Sequence, residues 1–220
     1  MKNYIKTYNV FHGILDKLIF GFGIPVAFIV LFAIMNLKFD VGAFMVLTIF
    51  MLLAELIRDY FLFGGIYSRS RKCGALRCSY YGEKVYVGAI MQEQLRSFLH
   101  YAILMAVFAG MRTVINGYPG KRFVLVCMIY ALLFYLVNAI SVNILRYVTN
   151  FNIYPSIMTL LVTPGIIASV FIYILGIDKK TMNLELCMAV MIVLAIGATI
   201  LTYRHAKSSY KKSLYGRDNR

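Results

Sequence analysis

The sequence is poor in charged residues, which occupy 15% of its 220 positions, whereas hydrophobic residues occupy 61%. The surface of a soluble domain needs about a quarter of its residues charged. A soluble domain is therefore excluded, and the mean hydropathy of +0.75 is typical of an integral membrane protein. The formal charge of +14 is interpreted as topogenic, because Lys and Arg outside membrane spans set orientation and meet anionic lipid headgroups. Membrane lipids, and no nucleic acid, are the expected partners of these charges.

Several functional motifs are missing as well. The chain has no phosphate-binding G-x-x-x-x-G-K-[ST] loop and no H-E-x-x-H pair, which excludes the usual nucleotide site and the usual membrane metalloprotease site. The four cysteines form no extracellular disulfide framework. Cys73 and Cys78 have no neighbouring ligands that would complete a zinc site, so free thiols and no metal are expected. No cleavable signal peptide is evident before the first apolar run, which begins at Leu18.

Long apolar runs predict an all-α polytopic membrane protein with six transmembrane helices. About 20 apolar residues in a helix cross a hydrocarbon core about 30 Å thick. The predicted spans, within a single transmembrane domain, are 18–37, 41–63, 88–111, 124–145, 153–177 and 184–203. Residues 1–17 repeat apolar side chains at spacings of three and four, which predicts an amphipathic helix lying in the interface. Pro164 and Gly165 predict a broken or kinked fifth span.

Lys and Arg are distributed unevenly between the two sides of the predicted bundle. With six spans, 17 of the 23 basic residues fall on the side that holds both termini and the long segment between the second and third spans. By the positive-inside rule this side is cytoplasmic. The C-terminal residues 204–220 are then a solvated basic cytoplasmic tail, and the chain is a multi-pass protein of the cell membrane, expected to be a bacterial plasma membrane.

A first group of candidate residues lies at the cytoplasmic membrane edge. On the third helix, polar side chains recur every four residues and so share one face. The members of this group, from the second and third spans, are Glu55, Arg58, Gln92, Glu93, Arg96 and His100. Two interpretations stay open: a polar cluster that lines a path or transmits motion, or an ordinary boundary ion pair such as Glu55 with Arg96.

A second group lies inside the predicted fourth and fifth spans. Asn138, Ser141 and Asn143 place polar side chains in hydrocarbon, where they seek partners on neighbouring helices. Helix association is the simpler interpretation. A substrate pathway is the alternative, with Pro164 opening a cavity in the fifth span.

The text from Ser68 to Leu99 reads SRSRKCGALRCSYYGEKVYVGAIMQEQLRSFL. It consists of a basic, glycine-containing run, a short turn and a helix that returns to the membrane. Together with the interfacial first helix and the six spans with cytoplasmic ends, it resembles the permease subunits of type-2 ABC exporters. The family often has a Leu-Pro or Ser-Pro turn where this chain has Ser79, Tyr80, Tyr81 and Gly82.

The resemblance implies a transport subunit without enzymatic activity of its own. It implies a homodimer, or a heterodimer with a similar permease, bound to separate ATP-binding subunits that carry ATP and Mg. The exported substrate would be hydrophobic or amphipathic, such as a peptide, a lipid or a drug. Residues 66–87 would form the cytoplasmic coupling segment. The side chains implied in docking on the ATPase are Arg69, Arg71, Lys72, Leu76, Arg77, Tyr80 and Tyr81.

Two other functions compete with export. One is a six-span solute-binding subunit of an uptake system, which would place a pocket near the outer face and would need no docking projection. The other is a membrane-embedded cysteine peptidase, for which a thiolate and a base must meet. His100 with Cys73 or Cys78 is the cytoplasmic-side pairing that the sequence offers for this chemistry.

Overall fold

The structure is a computed structural model, and it describes residue 14 and residues 18–36, 49–59, 79–116, 120–144, 153–178 and 180–215. The described residues are helical with short connections and contain no strand, so the predicted all-α class is confirmed for this part of the chain. The helices are α1 (Ile24–Asn36, after a π-helical turn at Ile19–Gly23), α2 (49–59), α3 (Gly82–Asn116), α4 (Lys121–Ile144), α5 (Tyr154–Tyr173, continued by a π-helical turn at Ile174–Asp178) and α6 (Leu184–Tyr215).

Three of the described helices are long and apolar enough to cross a membrane, in agreement with the last three predicted spans. These segments are Lys121–Ile144, Ser156–Gly176 and Leu184–Ser208. The apolar helix at Ile19–Leu31 is shorter. The spans at 18–37, 41–63 and 88–111, the count of six and the sidedness of the termini stay predictions. The interfacial helix predicted for residues 1–17 falls, except for residue 14, outside the described residues.

Helix α4 is the centre of the bundle and packs against α3, α5 and α6. Twelve of its residues are buried, among them Ile129, Phe134 and Ala139. Helix α6 is the opposite case, because only 17% of its candidate span is buried. Its outer face presents apolar side chains such as Val193 and Leu201. In a bilayer such a face is covered by lipid or by another apolar helix.

The last helix does not end where its apolar run ends. The described part of the stretch predicted as a solvated basic tail is helical, because α6 continues to Tyr215; the solvation and sidedness of the tail stay predictions. Ala206 and Tyr210 are buried and pack with Tyr86 and Val87, close to the start of α3. The basic residues of this stretch are therefore carried on a packed helix, and the sequence pattern hid this because only one face of the stretch is apolar.

Helix α5 runs through Pro164 without a break. The helix is therefore not broken, although the missing N–H of a proline removes one backbone hydrogen bond; the kink, which is the other expectation, stays a prediction. Gly165, the next residue, is buried, and a Cβ built there would lie 3.0 Å from Cγ2 of Val137 on α4. The proline–glycine pair thus lies where the backbone of α5 packs closely against Val137 of α4.

Candidate functional site

The site is a cluster of charged side chains held between α2 and α3. Residues three and four apart lie on one face of a helix, and both helices bring two charged groups to their common interface in this way. We call Glu55, Arg58, Glu93, Arg96 and His100 the ionic cluster. Its two glutamates and Arg58 are almost completely buried, with at most 2% of each side chain exposed. Arg96 and His100 are slightly more exposed, at 12% and 11%.

Arg58 and Glu93 form the tightest link between the two helices. Nη1 of Arg58 donates to Oε2 of Glu93 at 2.5 Å, and Nη2 donates to Oε1 at 3.1 Å. This bidentate geometry matches the planar guanidinium to the carboxylate. The guanidinium carbon also lies 5.3 Å from the centre of the Phe20 ring, which covers it with an aromatic face. The π-helical turn before α1 therefore closes one side of the cluster.

Arg96 lies between the two carboxylates and bonds to both. Its Nε donates to Oε2 of Glu93 at 2.8 Å, and its Nη1 donates to Oε1 of Glu55 at 3.0 Å. Its Nη2 also pairs with Oε2 of Glu55. Nδ1 of His100 lies 2.9 Å from Oε1 of Glu55 and 3.0 Å from Nη1 of Arg96. The ion pair named from the sequence, Glu55 with Arg96, is thus one part of a larger network.

The charges of the ionic cluster balance. Two glutamates face two arginines, so with a neutral imidazole the cluster carries no net charge. Buried charges are tolerated when they are paired and their hydrogen bonds are filled. The arrangement therefore joins α2 rigidly to α3, and displacement of one helix must break several charge-assisted bonds or carry the other helix with it.

Gln92 is the member of the predicted edge group that is not counted in the ionic cluster. Its Oε1 is buried and has no hydrogen-bond partner among the described residues, although the residue makes other contacts. Gln94, two positions later, faces the bundle instead. Its Nε2 donates to Oγ1 of Thr202 on α6 at 3.1 Å. Gln94 could not be identified from the sequence, because its helix face is assigned only with the neighbouring helix in place.

The polar residues of α4 contact neighbouring helices. Nδ2 of Asn143 donates to Oγ1 of Thr202 at 2.8 Å, and its Oδ1 lies 3.2 Å from Nδ1 of His205. Oγ of Ser141 donates to Sδ of Met158 at 3.2 Å. Nδ2 of Asn138 donates to Oγ of Ser97 at 3.4 Å. These contacts agree with the helix-association interpretation. Pro164, the fourth member of the group, is exposed on α5. A role of the group in a substrate pathway stays a prediction.

Two of the seven predicted docking residues lie in the described part of the chain. Tyr80 and Tyr81 immediately precede α3 and are exposed by 93% and 59%, with their rings in edge contact at 5.1 Å. Nζ of Lys84 lies 5.8 Å from the centre of the Tyr81 ring. The docking side chains outside the described residues are Arg69, Arg71, Lys72, Leu76 and Arg77.

An apolar cavity of about 210 Å³ opens beside the ionic cluster, between α1, α2 and α3. Pro25, Met51 and Leu104 contribute to its apolar wall, and His100 is the one titratable group in the lining. The His100 ring thus borders the apolar cavity and also contacts the Glu55 carboxylate, so a molecule that enters the cavity would lie next to the ionic cluster.

Within the described ranges, no side chains are assembled into a site for metal binding or thiol catalysis. No group of three or more His, Cys, Asp and Glu side chains there could hold a metal ion. Cys127 is buried and Cys187 is partly buried, both as free thiols, while Cys73 and Cys78 fall outside the described residues. The base of the hypothetical peptidase, His100, is in contact with Glu55 and Arg96.

Comparison with known proteins adds no relative from which a role could be transferred. No protein-family model, no curated protein sequence and no solved structure matches the chain.

Proposed function

We propose that this chain is the membrane-spanning permease subunit of a transporter that exports a hydrophobic or amphipathic substrate, such as a peptide, a lipid or a drug. A separate cytoplasmic ATPase drives it and carries the ATP and Mg. The chain works as a homodimer or as a heterodimer with a similar permease, in the plasma membrane of a bacterium. The resemblance of the segment from Ser68 to Leu99 is one support, and the form of α3 and α6 is the other.

The observation that carries the proposal is the shared extension of α3 and α6 beyond the length that a membrane needs. Helix α3 has 35 residues and at 1.5 Å per residue is about 52 Å long, against about 30 Å of hydrocarbon. Helix α6 has 32 residues and is about 48 Å long, so it also exceeds the thickness of the hydrocarbon core. We call residues 82–90 of α3 and 206–215 of α6 the helical stalk. Tyr86 and Tyr210 pack within it at 5.7 Å between ring centres.

The residues that directly precede the helical stalk have the composition of a docking element. The exposed rings of Tyr80 and Tyr81 precede its first residue, and the basic run 69–77 precedes them in the sequence. Exposed aromatic rings supply much of the binding energy in protein interfaces. An ATPase bound here would push on two helices that are packed together, which favours movement of both as one body.

The ionic cluster continues this path into the bundle. It starts at Glu93, three residues beyond the stalk, and joins α3 to α2 through the bidentate pair with Arg58. Coupling between distant sites needs packed elements and bonded networks of this kind. In this proposal the predicted edge group transmits motion of the docked ATPase from α3 to α2. The apolar cavity beside His100 lies where that motion arrives.

Co-purification tests the docking role. The charge reversals Arg71→Glu, Lys72→Glu and Arg77→Glu, combined, are expected to remove an ATP-hydrolysing subunit from the detergent-purified complex without loss of membrane insertion. The matched control is Lys121→Glu with Lys180→Glu, two exposed basic residues at the opposite end of the bundle. An ATPase that stays bound to the first variant, or leaves both variants equally, contradicts the proposal.

One observation favours the solute-binding alternative. A cavity of about 390 Å³ lies at the end of the bundle where α4 and α6 begin, with Arg122, Asn183 and Glu185 in its lining. In the predicted topology this end faces outward, which is where a capture subunit would hold its ligand. The alternative expects solute uptake to fall in Arg122→Ala and Asn183→Ala while the charge reversals at residues 71–77 leave uptake unchanged. The export proposal expects export of its substrate to fall in the charge reversals at residues 71–77 and to be unchanged in Arg122→Ala and Asn183→Ala.

A further inference from the structure

Asp59 is the carboxylate that the ionic cluster leaves out. It follows Arg58 on α2 and is completely buried. Arg58 and Arg96 are engaged with Glu93 and Glu55. Among the described residues, neither carboxylate oxygen of Asp59 has a hydrogen-bond partner. Ionisation of a buried carboxylate without hydrogen-bond donors is strongly unfavourable, so the state of this group needs a physical explanation.

Two further unpartnered atoms lie at the same place. Oδ1 of Asn138 on α4 and the hydroxyl of Tyr101 on α3 are buried, and within the described ranges neither has a hydrogen-bond partner. The Asn138 amide lies near both the Asp59 carboxylate and the Tyr101 hydroxyl, but neither contact has hydrogen-bond geometry. Nδ2 of Asn138 donates one of its two N–H groups to Ser97, which leaves one further N–H donor. The three side chains come from α2, α3 and α4 and meet around Asn138; we call this set of side chains the polar pocket.

The pocket contains more acceptors than donors. The two oxygens of Asp59 and Oδ1 of Asn138 can only accept when the carboxyl is ionised, while the Tyr101 hydroxyl brings a single O–H and Nδ2 of Asn138 a single further N–H. A ligand that fits must therefore supply a donor or a positive charge. One proton on Asp59 does both, because it removes the buried charge and creates an O–H that Asn138 or Tyr101 can accept.

We propose that Asp59, Asn138 and Tyr101 form a proton-binding site within the bundle. The step is the addition of one proton from water to the carboxylate, which forms an O–H bond and leaves a neutral carboxyl. The charged groups facing Asp59 are Glu55, Glu93 and Arg58. Both glutamates oppose an ionised Asp59, and the one cation among these three is held by Glu93.

Release of the proton would change the link between α2 and α3. An ionised Asp59 competes with Glu93 for the adjacent Arg58, so the bidentate pair that joins the two helices is the bond at risk. Proton occupancy therefore sets how firmly α2 is held. This inference is independent of ATPase docking and holds or fails whether or not the export proposal is correct.

Infrared spectroscopy of the full-length chain in lipid nanodiscs tests the site. With aspartate labelled by ¹³C at the carboxyl carbon, a protonated side chain gives a C=O stretch that ionised side chains lack. At neutral pH the wild type is expected to show this band, and Asp59→Asn is expected to lose it completely. Asp178→Asn, at the end of a π-helical turn, is the control that keeps it. The variant Tyr101→Phe is expected to shift the band, because it removes the hydrogen-bonding group beside the carboxyl.

Three results would overturn the assignment. A wild type without the band at neutral pH has an ionised Asp59, and this holds even if Asp59→Asn fails to fold. A band that persists in Asp59→Asn belongs to another aspartate. A band that disappears when potassium in the buffer is replaced by sodium shows that the pocket takes a sodium ion in place of the proton.

Discussion

Arg58 donates two hydrogen bonds to Glu93 across 35 positions of sequence, and both side chains are buried. The pair joins a helix of the first half of the bundle to α3, which continues into the helical stalk. Each partner has a further contact, since Arg96 also bonds to Glu93 and Nη1 of Arg58 lies 3.8 Å from Glu55. Loss of this pair should therefore lower the stability of the fold, and the coupling of α2 to α3, more than loss of an exposed salt bridge would.

A double-mutant cycle measures the worth of this pair. Arg58→Leu and Glu93→Leu are each expected to destabilise the fold by about 3–5 kcal/mol, because each leaves a buried charge without its partner. The double variant should be less destabilised than the sum of the two, since no orphan charge remains. The measurement is unfolding in mixed detergent micelles.

The control for the cycle is the exposed pair Lys121–Glu185. Its removal is expected to change stability little, as is typical of solvated ion pairs. Strict additivity of Arg58→Leu and Glu93→Leu would mean that the two side chains do not interact in the membrane-embedded protein.

The edge group shows which contacts can be predicted from the sequence and which cannot. Spacing alone placed Arg96 and His100 on one face of α3 and named Glu55 as a partner, and the contacts agree. The pairing of Arg58 with Glu93 could not be predicted in the same way. It depends on the register between two helices, and no pattern within either helix fixes that register.

The isolation of Asp59 was hidden for a related reason. No pattern in the sequence sets Asp59 apart from other residues at the end of a span, and its burial appears only once α3 and α4 lie beside it. The end of α6 could not be predicted from the sequence either, because the apolar run stops near Tyr203 while the helix continues to Tyr215. The apolar composition of the chain indicates where a membrane span ends. The length of α6 depends instead on the packing of Ala206 and Tyr210 near the start of α3.

Close packing of α5 on α4 gives a second prediction. Gly165→Leu is expected to cost about 1–3 kcal/mol, since even a Cβ there would press on Val137. Gly197→Leu is the matched control on α6, where nothing lies within 4 Å of the added Cβ. Thermal unfolding of the two variants in detergent should separate them clearly. Equal melting temperatures would mean that α5 does not approach α4 at Gly165.

Integrity of the helical stalk can be followed by limited proteolysis. Tyr210→Ala removes the ring that packs on Tyr86 and should loosen the end of α6 from α3. Trypsin cleavage after Lys207 is expected to become several-fold faster than in the wild type. Tyr203→Ala, an exposed tyrosine on the same helix, is the control that leaves the rate unchanged. A wild type already cut as fast as Tyr210→Ala would show that the stalk does not form.

The central claim is that the tip of the stalk contacts an ATPase, and site-specific photocrosslinking in cells tests it most directly. A photoreactive phenylalanine analogue at Tyr80, the most exposed ring beside α3, is expected to yield an adduct whose partner is identified by mass spectrometry as an ATP-binding subunit. The same analogue at Lys180, at the opposite end of the bundle, should yield none. An absence of the adduct from Tyr80, or its equal formation from Lys180, would contradict the account.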